Sequence, residues 1–312
     1  MSAYPAVAGP VRDAALDSLL EELQRRHRGA VCAVLVYGSC LRSGDIYDGL
    51  LDLYLLCDSY RAAYGPGPLA AANWLLPPNV FYAEQADPES ARTLRAKVTV
   101  ISLRDFRRGC SGAWFESYLW GRFAQPTHIL DARDGATRAE AEHALLTAAG
   151  TLLRRALPTL PEEGTVTALW EGALDLSYAT ELRTERSGRA GELARASGSF
   201  YAAVTRLIEG EIGAGFSLEG DGPDARYSSR PDAFAARAAR AAWLLRRVQG
   251  KLLSIARLVK ALFTFEGGLD YIAWKLERHS GEEIVIPDRV RRAPLIHLWG
   301  FFWGLYRRGI FR

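Results

Sequence analysis

Val34-Leu35-Val36-Tyr37-Gly38-Ser39, followed thirteen residues after Ser39 by Asp52 within Leu50-Leu51-Asp52-Leu53-Tyr54-Leu55-Leu56, decides how this chain folds. Both runs are continuous and apolar, the pattern of strands buried on both faces. Gly38 has no Cβ, so the backbone leaving the first strand can come close to a phosphate. Ser39 then offers an amide and a hydroxyl to that anion. Asp52 is the anomaly, because a carboxylate inside an apolar strand is costly unless it is paired or bound to a metal. Two plainer readings stay open: an ordinary strand-to-helix turn at Tyr37-Gly38-Ser39, and an exposed place near the strand end for Asp52.

A Gly-Ser turn beside a strand carboxylate is how nucleotidyltransferases hold a nucleoside triphosphate with its magnesium, so Mg2+ is the expected cofactor. Two carboxylates two residues apart would share one face of the strand, but Leu50 and Tyr54 hold those places here. Asp48 has the right parity, yet four residues of extended strand span about 13 Å, so it joins the metal only if the chain bends at Gly49. Glu84 and Glu181 are further candidates that would have to arrive through the fold.

Further blocks extend the pattern. Val36-Tyr37-Gly38-Ser39 looks like a YGSG opening with Cys40 in place of the second glycine, and Leu51-Asp52-Leu53-Tyr54-Leu55 is similar to an LDFIF strand. Asn79-Val80-Phe81-Tyr82 resembles GVYYN, and Lys97-Val98-Thr99-Val100-Ile101-Ser102 resembles KYGVIS. Tyr118-Leu119-Trp120-Gly121-Arg122-Phe123-Ala124-Gln125-Pro126 looks like YLAGRLQKP, and Leu176-Ser177-Tyr178-Ala179-Thr180-Glu181-Leu182-Arg183 parallels LSYAGDIR. Ser254 and Lys260-Ala261-Leu262-Phe263-Thr264 match a serine and KGIFT. Seven blocks in order, from about residue 34 to 265, resemble the mitochondrial-type CDP-diacylglycerol synthases, the translocator assembly and maintenance family. The departures are a shorter segment between Leu56 and Asn79, Glu181 in place of Asp, and a different tail.

That resemblance implies a phosphatidate cytidylyltransferase, which converts CTP and phosphatidate to CDP-diacylglycerol and pyrophosphate. It implies Asp52 as magnesium ligand and catalytic carboxylate, with Lys97 as catalytic cation. Gly38, Ser39, Tyr37, Arg122, Ser177, Tyr178 and Arg183 would surround the nucleotide, between two domains. Ser254, Arg257 and Lys260 follow at three-residue steps along one helix face, toward the lipid phosphate or simply toward solvent. Lys97 and Arg122 have the same plain alternative, and Tyr178 that of a core aromatic.

With 312 residues and 49% apolar content the chain can bury a sizeable core. Strands are predicted near 31–37, 50–57, 79–83, 97–102 and 127–130, and helices near 11–28, 104–123 and 137–157. After Pro158-Thr159-Leu160-Pro161 the β pattern fades, and helices are predicted over 163–184, 190–210 and 231–265. The expected class is α+β: a nucleotidyltransferase-like mixed-sheet domain over 1–158, a mainly helical domain over 159–285 and a tail over 286–312. Gly213 to Pro231 reads as a loop, a surface excursion rather than a lid. Cys32, Cys40, Cys57 and Cys110 form no metal-ligand pair and read as reduced thiols, and the five scattered histidines argue against zinc.

Of the formal charge of +3, the segment from Ile286 to Arg312 contributes +5 through six Arg and one Asp, leaving −2 for the preceding 285 residues. Basic character is thus a tail property, and no nucleic-acid partner is expected. From Leu295 to Tyr306 the tail is twelve residues long, about 18 Å of helix against a bilayer core of about 30 Å. Leu295, Leu298, Trp299, Phe302, Trp303, Tyr306, Arg307 and Arg308 fit a segment lying in the membrane interface. A helix packed on the chain's own core, or a homodimer contact through Gly300 and Gly304, is the alternative. The N-terminus lacks a basic-plus-apolar signal, so the expected place is the cytoplasmic face of a bacterial inner membrane, as a peripheral protein. Two rival functions remain: a nucleotidyltransferase with a soluble acceptor, and a membrane-bound non-catalytic scaffold.

Overall fold

The computed structural model describes residues 4–312 apart from 89, 91, 182–187, 214, 265–276, 278–283, 293–296, 298–299, 302, 305–306 and 308–312. Helix α1 (Ala14–Arg26) starts where the Asp13 carboxylate accepts from the Leu16 amide at 2.8 Å, and it buries Leu16, Leu19, Leu20 and Leu23. Strand β1 (Val31–Tyr37) follows, buried at every position, and then the short helix α2 (Ser39–Ser43). Strand β2 (Leu51–Cys57) is buried everywhere except at Asp52. Helices α3 (Tyr60–Tyr64) and α4 (Pro68–Leu75) lead to β3 (Asn79–Ala86) and β4 (Thr93–Ser102).

Next come α5 (Leu103–Cys110), α6 (Trp120–Phe123), β5 (His128–Ala132) and α7 (Gly135–Ala156). The five strands form one mixed sheet in the order β3-β4-β2-β1-β5, in which β2 and β4 are parallel and the other neighbours antiparallel. All five predicted strands are present. The helix predicted over 104–123 is instead broken into α5 and α6: the backbone turns extended at Ser111, and Leu119 then packs against Gly109, where an added Cβ would collide with it.

Beyond Leu157 the chain forms β6 (Glu163–Thr165), α8 (Val166–Tyr178), α9 (Arg189–Ala196), α10 (Gly198–Ile212), β7 (Ser217–Glu219), β8 (Arg226–Ser228) and α11 (Ala233–Thr264). Most of the stretch read as a loop over 213–231 is the β7–β8 hairpin, which joins β6 in a second sheet of order β6-β8-β7. Each strand contributes three residues, too few to show a period. The hairpin is held by burial of Leu218 and Tyr227, whose hydroxyl donates to the Pro161 carbonyl at 2.8 Å. One continuous apolar cluster runs from Ala15 to Trp243 and so crosses the proline-marked stretch at 158–161.

All four cysteines are free and buried. Burial pushes Cys32 and Cys40 up to about 11 and Cys57 up to about 12, so these remain thiols. No described helix is long and apolar enough to cross a membrane. In the tail, Asp288–Arg292 is helical, as are positions His297, Gly300, Phe301, Trp303, Gly304 and Arg307. Leu295, Leu298, Trp299, Phe302, Tyr306 and Arg308 lie outside the described residues, as does Arg183.

Candidate functional site

Strand register assembles the front of the site. Tyr37 pairs with Asp52, Asp52 with Lys97, and Lys97 with Tyr82, so one row of side chains crosses β1, β2, β4 and β3 on a single face. In the middle of the row Lys97 Nζ stands 3.9 Å from Asp52 Oδ1, with the two side chains 34% and 25% exposed, so both can meet a ligand from solvent. One row along, the Tyr82 hydroxyl donates to Glu84, which also accepts from Arg95 Nε at 3.1 Å. Glu84 therefore reaches the Asp52 face but is bound into its own cluster two strands away.

Gly38 closes over the carboxylate. Its φ is +96°, and a Cβ placed there would lie 2.8 Å from Asp52 Oδ2, so no other residue fits without displacing one of them. Ser39 is exposed at the start of α2. Cys40, the departure from YGSG, is buried, and its thiol donates to the Leu50 carbonyl at 3.2 Å and the Asp48 carbonyl at 3.6 Å. The chain does bend at Gly49, where φ is +108°. That bend folds the loop around Cys40 and delivers it into β2.

Behind this front is a buried cationic and aromatic stack. Arg122 donates from Nη1 to the Tyr37 hydroxyl at 2.9 Å and from Nη2 to Glu181 Oε2 at 3.0 Å, and its guanidinium carbon lies 4.7 Å from the Tyr118 ring centre. Burial pushes the Tyr37 phenol well above its ordinary value. Arg122, read as a phosphate ligand, is thus committed to Glu181, with side chains 12% and 15% exposed. Glu181, a candidate second metal carboxylate, arrives as this ion-pair partner. Spacing alone gave no sign of the pairing.

Ser177, expected beside the nucleotide, is buried where α8 meets α6. Its hydroxyl donates to the Leu174 carbonyl at 2.9 Å, and it fills the space above Gly121, where an added Cβ would lie 2.8 Å from Ser177 Cβ. Thr180 and Ser117 share a hydroxyl contact at 2.6 Å beside it. The two sequence blocks containing Gly121 and Ser177 therefore interlock and bring Glu181 to Arg122. Tyr178 is half-buried against the core.

Arg257 and Lys260, expected to face a lipid phosphate or solvent, make hydrogen bonds within the chain. Arg257 donates to Glu116 at 2.7 Å and to the Pro77 carbonyl at 3.2 Å, stacking 4.0 Å from the Tyr118 ring centre. Lys260 donates to the carbonyls of Leu76 and Pro78 at 2.5 and 2.6 Å and to Asn79 Oδ1 at 3.0 Å, and burial lowers it to about 8. Both side chains fasten α11 to the connection between α4 and β3. Ser254 is half-buried on the same helix. Tyr118, held between the guanidinium groups of Arg122 and Arg257, is a residue the sequence reading quoted but did not single out.

A cavity of about 520 Å³ borders Gly38, walled by Leu41, Gln125, Pro126, Ser197 and Phe200, a size suited to a small molecule. A larger one, about 760 Å³, lies at the other ends of β2 and β4, beside Asp58 and Ser102, away from Asp52. Magnesium is commonly held by one or two carboxylates, with water and substrate phosphates completing its shell. Asp52, partly exposed and abutting the glycine cradle, could provide one such ligand. Among the described residues no cluster of three or more His, Cys, Asp or Glu surrounds it. The donor set fits a cation that arrives with a triphosphate and does not fit a standing all-protein metal centre. No known protein-family profile and no curated protein matches this chain.

Proposed function

We propose that this chain transfers the cytidylyl group of CTP to phosphatidate, forming CDP-diacylglycerol and releasing pyrophosphate, on a nucleotidyltransferase-like sheet. The observation that carries the reading is the packing of the Gly38 backbone on the Asp52 carboxylate, with Lys97 in register beside it. It supplies a close-approach turn, an anion and a cation at one partly exposed point of the sheet. The ordered resemblance from residue 34 to 265 supplies the choice of substrates.

Asp52 would hold the magnesium ion, which offsets phosphate charge and polarises the phosphorus under attack. Gly38 lets the turn approach the phosphates, and Ser39 offers its hydroxyl there. Lys97 is placed to neutralise phosphate oxygens next to the carboxylate. The lipid phosphomonoester, with a second pKa of about 6, is already largely dianionic at neutral pH, so the chain needs no general base. Arg122 and Glu181 act at one remove, fixing Tyr37 at the end of β1 and drawing the helical half against the sheet. The basic, aromatic tail would keep the enzyme at the bilayer that holds its acceptor.

The lone strand carboxylate favours a second reading, a membrane-bound scaffold without catalysis. Incubating the purified protein with radiolabelled CTP, magnesium and phosphatidate in detergent micelles separates the two. CDP-diacylglycerol should appear in proportion to protein. Absence of product together with absence of CTP binding would support the scaffold, and turnover with a soluble acceptor alone would move the assignment to that class.

A further inference from the structure

Helix α11 presents two opposite faces. Along one, Trp243 donates to the Arg155 carbonyl at 2.8 Å, Arg246 donates to the Phe115 carbonyl at 2.9 Å, and Gly250 passes so close to the Thr180 carbonyl that a Cβ would collide with it. With Arg257 and Lys260 these contacts fix the rotation of the helix. Facing away, Leu245, Val248, Leu252, Ile255 and Val259 alternate steps of three and four residues and are each 50–62% exposed. Leu244 and Leu258, 64% and 62% exposed, widen that stripe beyond a narrow coiled-coil seam. From Leu244 to Val259 it extends about 24 Å at 1.5 Å per residue.

Charge identifies the occupant. The helix has no Asp or Glu; Arg246, Arg257 and Lys260 are spent on the packed face, whereas Arg240, Arg247 and Lys251 are exposed along the flank of the stripe. A second copy of the same face would bring these cations against themselves. The chain's own tail, with six Arg and one Asp, would do the same. An anionic lipid surface matches both the apolar stripe and its basic flank. Trp74 and Leu75, 73% and 77% exposed at the end of α4, add an indole and a leucine on an element that contacts α11. We infer that the Leu244–Val259 face of α11 docks in the plane of a membrane rich in anionic lipid. This goes beyond the proposed reaction, and it would hold equally for a chain acting on a soluble acceptor.

The test is flotation of the full chain, without nucleotide, on vesicles of phosphatidylglycerol and phosphatidylcholine and on phosphatidylcholine alone. The wild type should bind the anionic vesicles more tightly. Leu245→Ser/Leu252→Ser/Ile255→Ser, all at exposed sites, should weaken binding by about tenfold or more while keeping the wild-type melting temperature. Arg240→Glu/Arg247→Glu/Lys251→Glu should lose about fivefold per cation, on the anionic vesicles only. Asp52→Asn should float like the wild type, so that failure of the nucleotide reading is scored separately. Unchanged flotation of the serine variant would assign membrane contact to the tail and overturn the inference. It would also be overturned by a lipid-free wild-type dimer that the serine variant converts to monomer, which would assign the face to a second copy.

Discussion

Replacing Gly38 by alanine probes the contact around which the site is built. The backbone there has φ of +96° and ψ of −157°, a region essentially restricted to glycine that costs an L residue about 1–3 kcal/mol. At roughly 2–4 °C per kcal/mol, strain alone should lower the melting temperature by about 2–12 °C. The new Cβ would also stand 2.8 Å from Asp52 Oδ2, so the carboxylate or the turn must move by several tenths of an ångström. Because a misplacement of about 1 Å at a reacting centre can cost about a hundredfold, a shift of this size should weaken magnesium-CTP binding on the order of tenfold. Gly29→Ala is the matched control, with φ of +71° and nothing within 4 Å of an added Cβ. It should lose similar stability and no affinity. Isothermal titration of CTP with magnesium, beside thermal unfolding, reads both quantities. The reasoning fails if Gly38→Ala binds CTP as the wild type does, or if Gly29→Ala loses the same affinity.

Other consequences can be measured in the purified chain. Glu181→Gln leaves Arg122 buried without its counter-charge and should cost about 3 kcal/mol in urea unfolding; a change below about 0.5 kcal/mol would show that the pair is not structural. Burial, followed by the charge of Arg26, lowers His27 from 6.5 to about 4. Between those pH values the unfolded chain binds the extra proton, so stability falls as pH drops, by about 3 kcal/mol from this group. His27→Leu should lose correspondingly less between pH 6.5 and 4, and equal losses would exclude the imidazole as the source. Lys260, lowered from 10.5 to about 8, is likewise less protonated when folded, so the wild type should gain stability as pH rises from 8 toward 10.5. Melting temperatures of Lys260→Met across that range should lack the gain.

The centre of the sheet was legible because β1 and β2 are apolar on both faces. Asp52 stood out for the same reason, as a charge where the pattern forbids one. The Gly38–Ser39 turn could be read from the absence of a side chain and the strand before it. Partnerships could not be read. Arg122 and Glu181 are 59 residues apart in sequence, and nothing local to either marks the other. The block around Ser177 resembles a motif, but nothing in it shows that the hydroxyl donates to the Leu174 carbonyl or that its Cβ fills the space above Gly121. The three-residue step of Arg257 and Lys260 places them on one side of a helix, open to a lipid phosphate or to solvent, and only the fold puts loop carbonyls there. The β7–β8 hairpin was too short to show alternation, and its glycines argued for a loop.

If Asp52 carries nucleotide transfer, CDP-diacylglycerol formation from radiolabelled CTP and phosphatidate must separate the wild type from Asp52→Asn. The carboxylate is partly exposed and only loosely paired with Lys97, so the substitution should change stability by no more than about 1 kcal/mol. The wild type should give product, and the folded variant should lose activity on the order of a hundredfold or more. Equal product from both proteins would contradict that role for Asp52.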